Sequence, residues 1–353
     1  MARIVVAMSG GVDSSVAAAI LKHQGHEVIG MMMRLWSEPD REAVNRCCSP
    51  DSLSMARRVA ARLDIPFYPV DAQKLFRDVV VGYFLDGYAQ GVTPNPCLPC
   101  NRYIRWDFLL HKAINSGAEY LATGHYARVR EEDGKKQLLR GLDSQKDQSY
   151  VLSVLAQSTL RHAMFPLGTY TKAQVRKLAR DFGLPVADRA ESQDLCFLGD
   201  EDYRDFLRRY LPEVEKPGPI ITRQGQEVGR HKGLAFYTIG QRKGLGISSP
   251  VPLYVMAKDI PQNTLIVGAA DELGGIELVA VDVNWISGDA PTTPIRVSIK
   301  IRYKSQDAWG IVTPFDEKRV HILFEHPQRD ITPGQLVVFY DGENCLGSGI
   351  IEI

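Results

Sequence analysis

The chain lacks long hydrophobic runs and has no net charge, and each absence excludes a class of function. No apolar stretch approaches the ~18 residues that a membrane-spanning helix requires, and no basic segment followed by an apolar core begins the sequence. Lys and Arg number 42, as do Asp and Glu, so a nucleic-acid partner would need a locally basic surface. We therefore expect a cytoplasmic protein without membrane contact.

Cysteine is also scarce, with six among 353 residues, and the sequence contains no internal repeat or low-complexity segment. So few cysteines in a chain of this size argue against a disulfide framework and favour metal, redox or catalytic roles. A hydrophobic content of 44% and a charged content of 24% are typical of globular proteins. The length predicts two or three domains, each able to bury its own core.

A glycine-rich loop near the start of the sequence lacks both the lysine of a Walker A motif and the G-x-G-x-x-G spacing of dinucleotide folds. Its residues, Ser9-Gly10-Gly11-Val12-Asp13-Ser14, lie between an apolar strand and an amphipathic helix. Two glycines and the N-terminus of a helix can cradle a phosphate chain. The loop resembles the PP-loop of ATP pyrophosphatases, which hold the leaving pyrophosphate while the α-phosphate is attacked. An ordinary glycine-rich turn between a strand and a helix is the alternative interpretation.

Apolar strands alternate with helical periodicity from residue 3 to about residue 125, which predicts a parallel α/β sheet. Ligands of such sheets bind beyond the carboxyl ends of the strands, so the Ser9 loop, Met33 and Gly124 should lie along one edge. The predicted strands are 3–8, 27–34, 66–70 and 120–124.

A change in composition divides the chain further. The segment 215–219 has the sequence Glu-Lys-Pro-Gly-Pro, which is typical of a linker, and short strands separated by Gly, Pro and Asp turns follow it. The predicted fold is an α/β domain with a parallel sheet and the PP-loop, then a small, mostly β central domain, then a C-terminal β-barrel. Their predicted bounds are 1–212, 213–273 and 274–353.

Basic residues are concentrated in a few runs. In a predicted barrel strand at 296–304, four cations would share one face because side chains alternate along a strand. Such a row fits a phosphate backbone, and a solvated barrel exterior is the alternative. A basic helical run at 172–180 is interpreted as a solvated face. The four cations of the strand are Arg296, Lys300, Arg302 and Lys304.

Two of the cysteines form a C-x-x-C pair, Cys97 and Cys100, inside a loop stiffened by three prolines. Cys100 falls at the predicted N-terminus of a helix beside two arginines, a position that favours the nucleophilic thiolate. With Cys196 the chain offers three thiolates, which fit a catalytic metal or an iron–sulfur cluster with an open position. The alternatives are inert buried thiols, a zinc knuckle, and a zinc site completed by Cys47 or Cys48.

Seven motifs follow one another along the chain. They are Met8–Ser14, Thr93–Pro96, Ala122–Tyr126, Lys146–Tyr150, Cys196-Phe197, Thr238–Gly246 and Thr332–Gln335. In this order they resemble the tRNA-specific 2-thiouridylase family. The resemblance implies that ATP, with Mg²⁺, adenylates the C2 oxygen of the wobble uridine of tRNA. Sulfur then displaces AMP to give 2-thiouridine, and pyrophosphate is the other product.

The resemblance also implies roles for individual residues. The catalytic residues would be Cys100 as the nucleophile, Cys196 as the carrier of a persulfide, and Asp13. ATP would be bound by Ala7, Met8, Ser9, Gly10, Gly11, Val12, Asp13, Ser14, Met33 and Gly124. The anticodon arm of tRNA would be contacted by His125, Lys146, Asp147, Gln148, Arg302, Tyr303 and Gln335. A persulfide-carrying donor protein would supply the sulfur.

One position departs from the family pattern, since many members carry Asp where this chain has Cys97. The departure creates the C-x-x-C pair. It leads to the hypothesis that Cys97, Cys100 and Cys196 ligate an oxygen-sensitive 4Fe-4S cluster whose open iron holds the incoming sulfide. In the competing mechanism no metal takes part, and a transient disulfide between Cys100 and Cys196 resolves the persulfide. Another adenylating PP-loop ligase and a non-catalytic RNA-binding protein are the alternative functions.

Overall fold

The computed structural model describes residues 1–38, 49–190, 195–199 and 201–352. Cys47 and Cys48, the candidates for completing a zinc site, lie outside the described residues. In the described part of the chain, no helix is both long enough and apolar enough to cross a membrane.

Seven strands of the described residues lie in the N-terminal part of the chain. They are β1 (Arg3–Ala7), β2 (Glu27–Arg34), β3 (Phe67–Asp71), β4 (Tyr120–Ala122), β5 (Ala127–Glu132), β6 (Lys135–Arg140) and β7 (Ala163–Met164). Five of them form a parallel sheet in the order β3-β2-β1-β4-β7, while β5 and β6 form an antiparallel hairpin. The predicted parallel sheet and its four predicted strands are confirmed. The hairpin and the short strand β7 were not among the predicted strands.

The helices of the described residues surround this sheet. They are α1 (Val12–His23), α2 (Pro50–Leu63), α3 (Gln73–Phe76), α4 (Gly82–Ala89), α5 (Cys97–Pro99), α6 (Leu110–Asn115), α7 (Ser149–Leu152), α8 (Gln157–Leu160), α9 (Lys172–Asp181) and α10 (Tyr203–Tyr210). π-Helical segments, Arg77–Val81 and Cys100–Leu109, join α3 to α4 and α5 to α6. Short 3₁₀ turns lie at Pro212–Val214, Leu234–Phe236 and Ala270–Glu272.

Local sequence signals explain where two of the helices begin. α2 has Pro50 at its first position, and the Ser49 hydroxyl accepts a hydrogen bond from the Ser52 amide. α9 begins with a capping box, in which the side chains of Thr171 and Gln174 each accept from the backbone N–H of the other. Both helix starts lie next to the glycine-rich loop described below, so the caps fix the framework of that loop.

Both faces of the parallel sheet are buried. Along β1, Ile4 and Val6 pack into one core with α1, α2 and α9, whereas Val5 packs into the core on the opposite face. This alternation follows from the two-residue period of a strand. Strands buried on both faces are continuously apolar in sequence, and this property made them predictable.

The central region contains four strands, which form a sheet of their own. They are β8 (Gly218–Thr222), β9 (Glu227–His231), β10 (Tyr254–Asp259) and β11 (Thr264–Gly268). Their order is β10-β11-β8-β9. Lys258 in β10 donates a hydrogen bond from Nζ to the Gly91 carbonyl at 3.0 Å, which connects this sheet to the N-terminal region. The expected mostly β central region is confirmed.

The last six strands close into a barrel. They are β12 (Gly275–Trp285), β13 (Ile295–Lys300), β14 (Ala308–Pro314), β15 (Val320–Gln328), β16 (Leu336–Asp341) and β17 (Asn344–Glu352). Their order is β12-β15-β14-β13-β16-β17, and β17 pairs back with β12. The β5–β6 hairpin extends this sheet, because Leu138 and Leu139 pair with Cys345 and Asn344. The predicted barrel is confirmed, and it shares hydrogen bonds with a hairpin of the N-terminal region.

The predicted strand at 296–304 is wrong in its second half. β13 ends two residues before Arg302, whose amide donates to Ser305 Oγ at 3.2 Å while its carbonyl accepts from the Ser305 amide at 3.1 Å. A hydroxyl side chain that bonds its own backbone favours a turn over a strand. Arg296 forms an ion pair with Glu325 at 2.7 Å. The predicted row of four cations on one sheet face therefore does not form.

Candidate active site

The glycine-rich loop lies between β1 and α1, at the carboxyl end of the parallel sheet. Gly10 has a φ of +71°, and a Cβ atom there would lie 2.4 Å from the Ser52 carbonyl oxygen, so the position requires glycine. The Ser9 amide donates to Ser14 Oγ at 3.1 Å and closes the loop on the first turn of α1. The loop is preformed at a helix N-terminus, an arrangement that binds phosphate. The other loop positions from the end of β1 to the start of α1 are Ala7, Met8, Gly11 and Val12.

The neighbouring strands bring two further residues to the same edge. Gly124 follows β4, and a Cβ atom there would lie 2.7 Å from the Ser14 amide nitrogen. Met33 is buried near the end of β2. The Ser9 loop, Met33 and Gly124 therefore share the carboxyl edge of the sheet, and their contacts with ATP stay a prediction.

Asp13, in the first turn of α1, is paired with a cation that sequence patterns did not assign to the site. Its carboxylate oxygens accept from Lys172 Nζ at 2.7 and 2.8 Å, and Oδ1 also accepts from the Tyr126 hydroxyl at 2.8 Å. The Lys172 side chain is only 13% exposed. The interpretation of 172–180 as a solvated face is therefore wrong for Lys172. No local signal could reveal this pair, since 159 positions separate its members.

A second cation absent from the sequence predictions holds the loop from behind. Arg189 Nη1 donates to the Gly10 carbonyl at 2.9 Å, and Nη2 donates to Ser52 Oγ at 3.0 Å. Because Ser52 belongs to α2, the guanidinium ties the loop to that helix. Arg189 therefore holds the left-handed backbone of Gly10 in place.

The C-x-x-C pair lies on a short helical turn. The turn spans Cys97–Pro99, and the π-helical segment begins directly after it, at Cys100. Asn95 Oδ1 accepts from the Cys97 amide at 3.1 Å, and Asn101 Nδ2 donates to the Cys97 carbonyl at 3.0 Å. Cys97 is exposed and Cys100 is half-buried. The helical stretch thus begins at Cys97, three residues before Cys100, so Cys100 lies within it and not at the predicted helix N-terminus.

His125 links this helical segment to the sheet edge. Arg105 Nη1 lies 3.2 Å from its Nε2, and Thr123 Oγ1 lies 2.8 Å from its Nδ1. A guanidinium only donates, so Nε2 accepts and Nδ1 carries the proton. Arg105 also donates to Asn101 Oδ1 at 3.0 Å. His125, which was predicted to contact tRNA, is therefore buried in a network that joins the cysteine segment to the end of β4.

The protonation of His125 gives a prediction for stability. Burial, and to a lesser extent Arg105, lowers the pKa of His125 well below its usual value, so the folded protein keeps it uncharged. In the unfolded chain the same side chain binds a proton below about pH 6.5. The unfolded state then binds more protons, so the free energy of unfolding should fall with decreasing pH, by up to ~1.4 kcal/mol per pH unit from this group. Urea unfolding across this pH range measures the slope.

The variant His125→Gln isolates this contribution. Burial also lowers the pKa of His231, which acts in the same direction but equally in both proteins. The variant should therefore lose less stability on acidification than the wild type. Equal slopes in the two proteins would show that His125 titrates normally in the folded state.

The three cysteines do not form a metal site in this structure. Among the described residues, which include Cys97, Cys100 and Cys196, no group of three or more His, Cys, Asp or Glu side chains is placed to hold a metal ion. Cys97 lies near Tyr303: burial raises the pKa of Tyr303, and the nearby side chains of Asp147 and Cys97 raise it further. Cys196 instead precedes Phe197, whose ring packs among buried aromatic rings. The residues present do not fit the predicted 4Fe-4S cluster in this arrangement.

The predicted tRNA contacts at residues 146–148 lie in a loop that follows the β5–β6 hairpin. Asp147 is buried, and Oδ1 accepts from the amides of Gly141 and Ser149 at 2.9 and 3.0 Å. Gln148 Oε1 accepts from the Tyr126 amide at 3.1 Å. Asp147 and Gln148 therefore shape the loop, while Lys146 is half-buried.

Arg302 joins the barrel to the central region. Its Nη2 donates to the Ile239 carbonyl at 2.9 Å and to Thr332 Oγ1. Burial lowers the pKa of Arg302, although Asp330 and Tyr150 act in the opposite direction. The guanidinium is thus engaged inside the protein, where the resemblance had implied a contact with tRNA.

Gln335 joins the barrel to the loop that precedes the C-x-x-C pair. Its Nε2 donates to the Thr93 carbonyl at 2.8 Å, and the Thr93 amide donates to the Pro333 carbonyl at 3.0 Å. Tyr303 is 37% exposed, and its ring meets the ring of Tyr150 edge-on with 6.0 Å between centroids. Of the three predicted tRNA contacts in the barrel, Gln335 and Arg302 hold the regions together and Tyr303 presents an aromatic surface.

Family models match the three regions in order. The matches are a tRNA methyl transferase HUP domain at residues 2–200, a tRNA methyl transferase PRC-barrel domain at 204–269 and an aminomethyltransferase beta-barrel domain at 276–351. The predicted domain bounds 1–212, 213–273 and 274–353 stay a prediction.

Relatives align with this chain over nearly its whole length. The tRNA-specific 2-thiouridylase MnmA 1 of Caldanaerobacter subterraneus subsp. tengcongensis is 50% identical, with 99% of this chain and 98% of the relative aligned. The tRNA-specific 2-thiouridylase MnmA of Roseiflexus castenholzii is 49% identical over 99% of both chains, and that of Acetivibrio thermocellus is 44% identical over 99% of both. This chain therefore belongs to the tRNA-specific 2-thiouridylase (MnmA) family.

Proposed function

We propose that the chain is a tRNA-uridine 2-sulfurtransferase, which activates the C2 oxygen of the wobble uridine with ATP and then replaces that oxygen with sulfur. The observation that supports it best is the preformed loop around Gly10 at the N-terminus of α1. The relatives, 44% to 50% identical over nearly the whole chain, are named for this activity.

ATP is the first substrate, and the loop fits it. The absence of a Cβ atom lets Gly10 pack against Ser52 and Gly124 pack against the first turn of α1. This packing holds the loop at the helix N-terminus, where phosphate oxygens find N–H donors. The uridine O2 attacks the α-phosphorus, the bond from that phosphorus to the bridging oxygen breaks, and pyrophosphate leaves with the electron pair. Mg²⁺ is typically held by phosphates and one or two carboxylates, and Asp13 is the carboxylate of this loop.

Sulfur transfer follows at the cysteines. Cys196 carries a persulfide received from a donor protein, and its terminal sulfur attacks C2 of the adenylated uridine, so that AMP leaves. The Cys100 thiolate then attacks the Cys196 sulfur, releases 2-thiouridine and forms a disulfide between the two cysteines. A cellular thiol restores both thiols for the next cycle. This sequence of steps needs no metal cluster.

The anticodon arm of tRNA is placed across the barrel and the N-terminal region. Tyr303 is partly exposed beside the Cys97 loop and offers a ring on which a base can stack. Lys146 precedes Asp147 in the loop after the β5–β6 hairpin and supplies a positive charge for the phosphate backbone. The three domains span residues 1–212, 213–273 and 274–353 in this proposal, and the enzyme acts in the cytoplasm on its tRNA.

Mass spectrometry of nucleosides tests the proposal. The protein is incubated with unmodified tRNA, ATP, Mg²⁺ and a persulfide donor, and the digested tRNA is analysed. We expect 2-thiouridine, with AMP formed in equal amount and dependent on tRNA. A different adenylated or aminated nucleoside would indicate another PP-loop ligase, and tRNA binding without AMP formation would indicate a non-catalytic RNA-binding protein.

A further inference from the structure

The glycine-rich loop contains no cation, although the group that leaves it is polyanionic. Backbone amides and serine hydroxyls supply hydrogen bonds, but a fixed positive charge stabilises the departing pyrophosphate more strongly in a site shielded from water. In a Walker A loop that charge comes from a lysine of the loop itself. Here it must come from elsewhere in the fold or from the metal ion alone.

Lys172 is placed to supply it. Its Nζ lies 2.7 and 2.8 Å from the two carboxylate oxygens of Asp13, the acidic residue of the loop. The Lys172 amide donates to Asp143 Oδ2 at 2.9 Å, and the capping box of Thr171 and Gln174 fixes the first turn of α9. The backbone of Lys172 is thus anchored while its flexible side chain reaches the loop.

The other cations of α9, all of which are described, are directed elsewhere. Lys177 pairs with Asp181 at 2.7 Å and is 75% exposed. Arg176 Nη1 donates to the Ala187 carbonyl at 3.2 Å, and Arg180 pairs with Asp188 at 3.5 Å. Lys172 is therefore the residue of this helix whose charge lies at the loop.

We propose that Lys172 is the phosphate-binding cation of the loop, held by Asp13 until the nucleotide arrives and then shared with the β- and γ-phosphates. This inference rests on the proposed use of the loop for ATP. In the adenylation step Lys172 donates hydrogen bonds to the pyrophosphate oxygens as the bond to the α-phosphorus breaks. It keeps its proton throughout, and the charge that develops on the leaving group is balanced by the ammonium.

Calorimetric titration with inorganic pyrophosphate, in the absence of metal ions and tRNA, tests this directly. Lys172→Met removes the charge at similar side-chain length. We expect its dissociation constants for pyrophosphate and ATP to rise at least about tenfold, as for the loss of a charged hydrogen bond, while that for AMP stays within about twofold. Lys172→Arg keeps the charge and should retain most of the affinity for pyrophosphate.

Lys177→Met is the matched control, since it removes a lysine from the same helix at an exposed position. It should bind all three ligands as the wild type does. Pyrophosphate binding by Lys172→Met at the wild-type affinity would overturn the proposal, and so would an equal loss of affinity for AMP.

Asp13→Asn separates a phosphate-binding role from a structural one. If Lys172 only stabilised the loop through Asp13, both single variants would weaken pyrophosphate binding alike. If Lys172 binds phosphate, Asp13→Asn releases the ammonium and should bind metal-free pyrophosphate at least as well as the wild type. The double variant Asp13→Asn with Lys172→Met leaves no unpaired charge, so it should fold and still bind pyrophosphate weakly.

These readouts are distinct from the test of the proposed function. A wild type that binds pyrophosphate through Lys172 but forms no 2-thiouridine would overturn the sulfurtransferase and leave the phosphate cation in place. If the wild type forms 2-thiouridine but Lys172→Met binds pyrophosphate normally, the sulfurtransferase stands and the role of Lys172 is overturned.

Discussion

Replacing Cys196 with serine should lower 2-thiouridine formation by about 10³-fold or more, because a serine hydroxyl cannot carry a persulfide and no other step generates the attacking sulfur. Adenylation precedes sulfur transfer, so the variant should still form AMP and pyrophosphate in the presence of tRNA. Nucleoside mass spectrometry and release of radiolabelled pyrophosphate measure the two half-reactions separately. In this mechanism the loss of Cys196 stops sulfur transfer and leaves adenylation unchanged.

Cys97→Ser is the matched control for this prediction. The structure uses the Cys97 backbone, whose amide and carbonyl bond Asn95 and Asn101, and a serine keeps both contacts. The variant should retain at least about half of the wild-type rate, since a resolving disulfide needs only Cys100 and Cys196. Loss of activity as complete as that of Cys196→Ser, together with loss of iron from anaerobically purified protein, would restore the three-cysteine cluster.

Gly10→Ala should destabilise the protein and abolish ATP binding. At a φ of +71° a side chain costs roughly 1–2 kcal/mol in backbone energy alone. The new Cβ would also lie 2.4 Å from the Ser52 carbonyl oxygen, so the loop must move away from α2 and from the guanidinium of Arg189. A total of about 3 kcal/mol corresponds to a fall in Tm of roughly 6–12 °C for a domain of this size. Thermal unfolding without nucleotide, followed by titration with ATP, measures both effects.

Gly11→Ala provides the comparison within the same loop. Gly11 has an ordinary extended conformation, with φ −91° and ψ 169°. The nearest atom to a Cβ there is Ser9 Oγ at 3.4 Å, an ordinary contact distance. Its Tm without nucleotide should stay within about 2 °C of the wild type. An equal fall in Tm for the two variants would contradict the assignment of strain to Gly10.

The parts of the fold that could be predicted are those whose signals are local in sequence. β1 and β2 are buried on both faces, so their apolar runs are continuous, and the Ser9 loop is a motif of adjacent residues. The barrel could be predicted from its regular turns. The end of β13 could not, because the Ser305 hydroxyl competes with strand pairing at a position where the alternation of cations continues.

The site residues that directly follow a strand of the parallel sheet could be predicted from the sequence. The residues that reach the site from distant parts of the chain could not. Lys172 and Arg189 contact the loop over 159 and 179 positions, and each lies in a segment whose composition is typical of a solvated surface. Arg302 and Gln335 were assigned to tRNA by resemblance, yet their hydrogen bonds hold the barrel to the rest of the protein. Residues such as Arg302 and Gln335 can support RNA binding by holding the barrel surface in position, without contacting the RNA themselves.

The sharing of one sheet between the β5–β6 hairpin and the barrel has a consequence for biosynthesis. Leu138 pairs with Cys345, and 207 positions separate them. At ~5–20 residues per second, a ribosome takes roughly 10–40 s to deliver the partner strand after the hairpin emerges. During that time β6, the strand of the hairpin that later pairs with β17, presents an unpaired edge, the kind of surface that recruits other chains. We therefore expect the edge of β6 to need shielding until β17 has been synthesised.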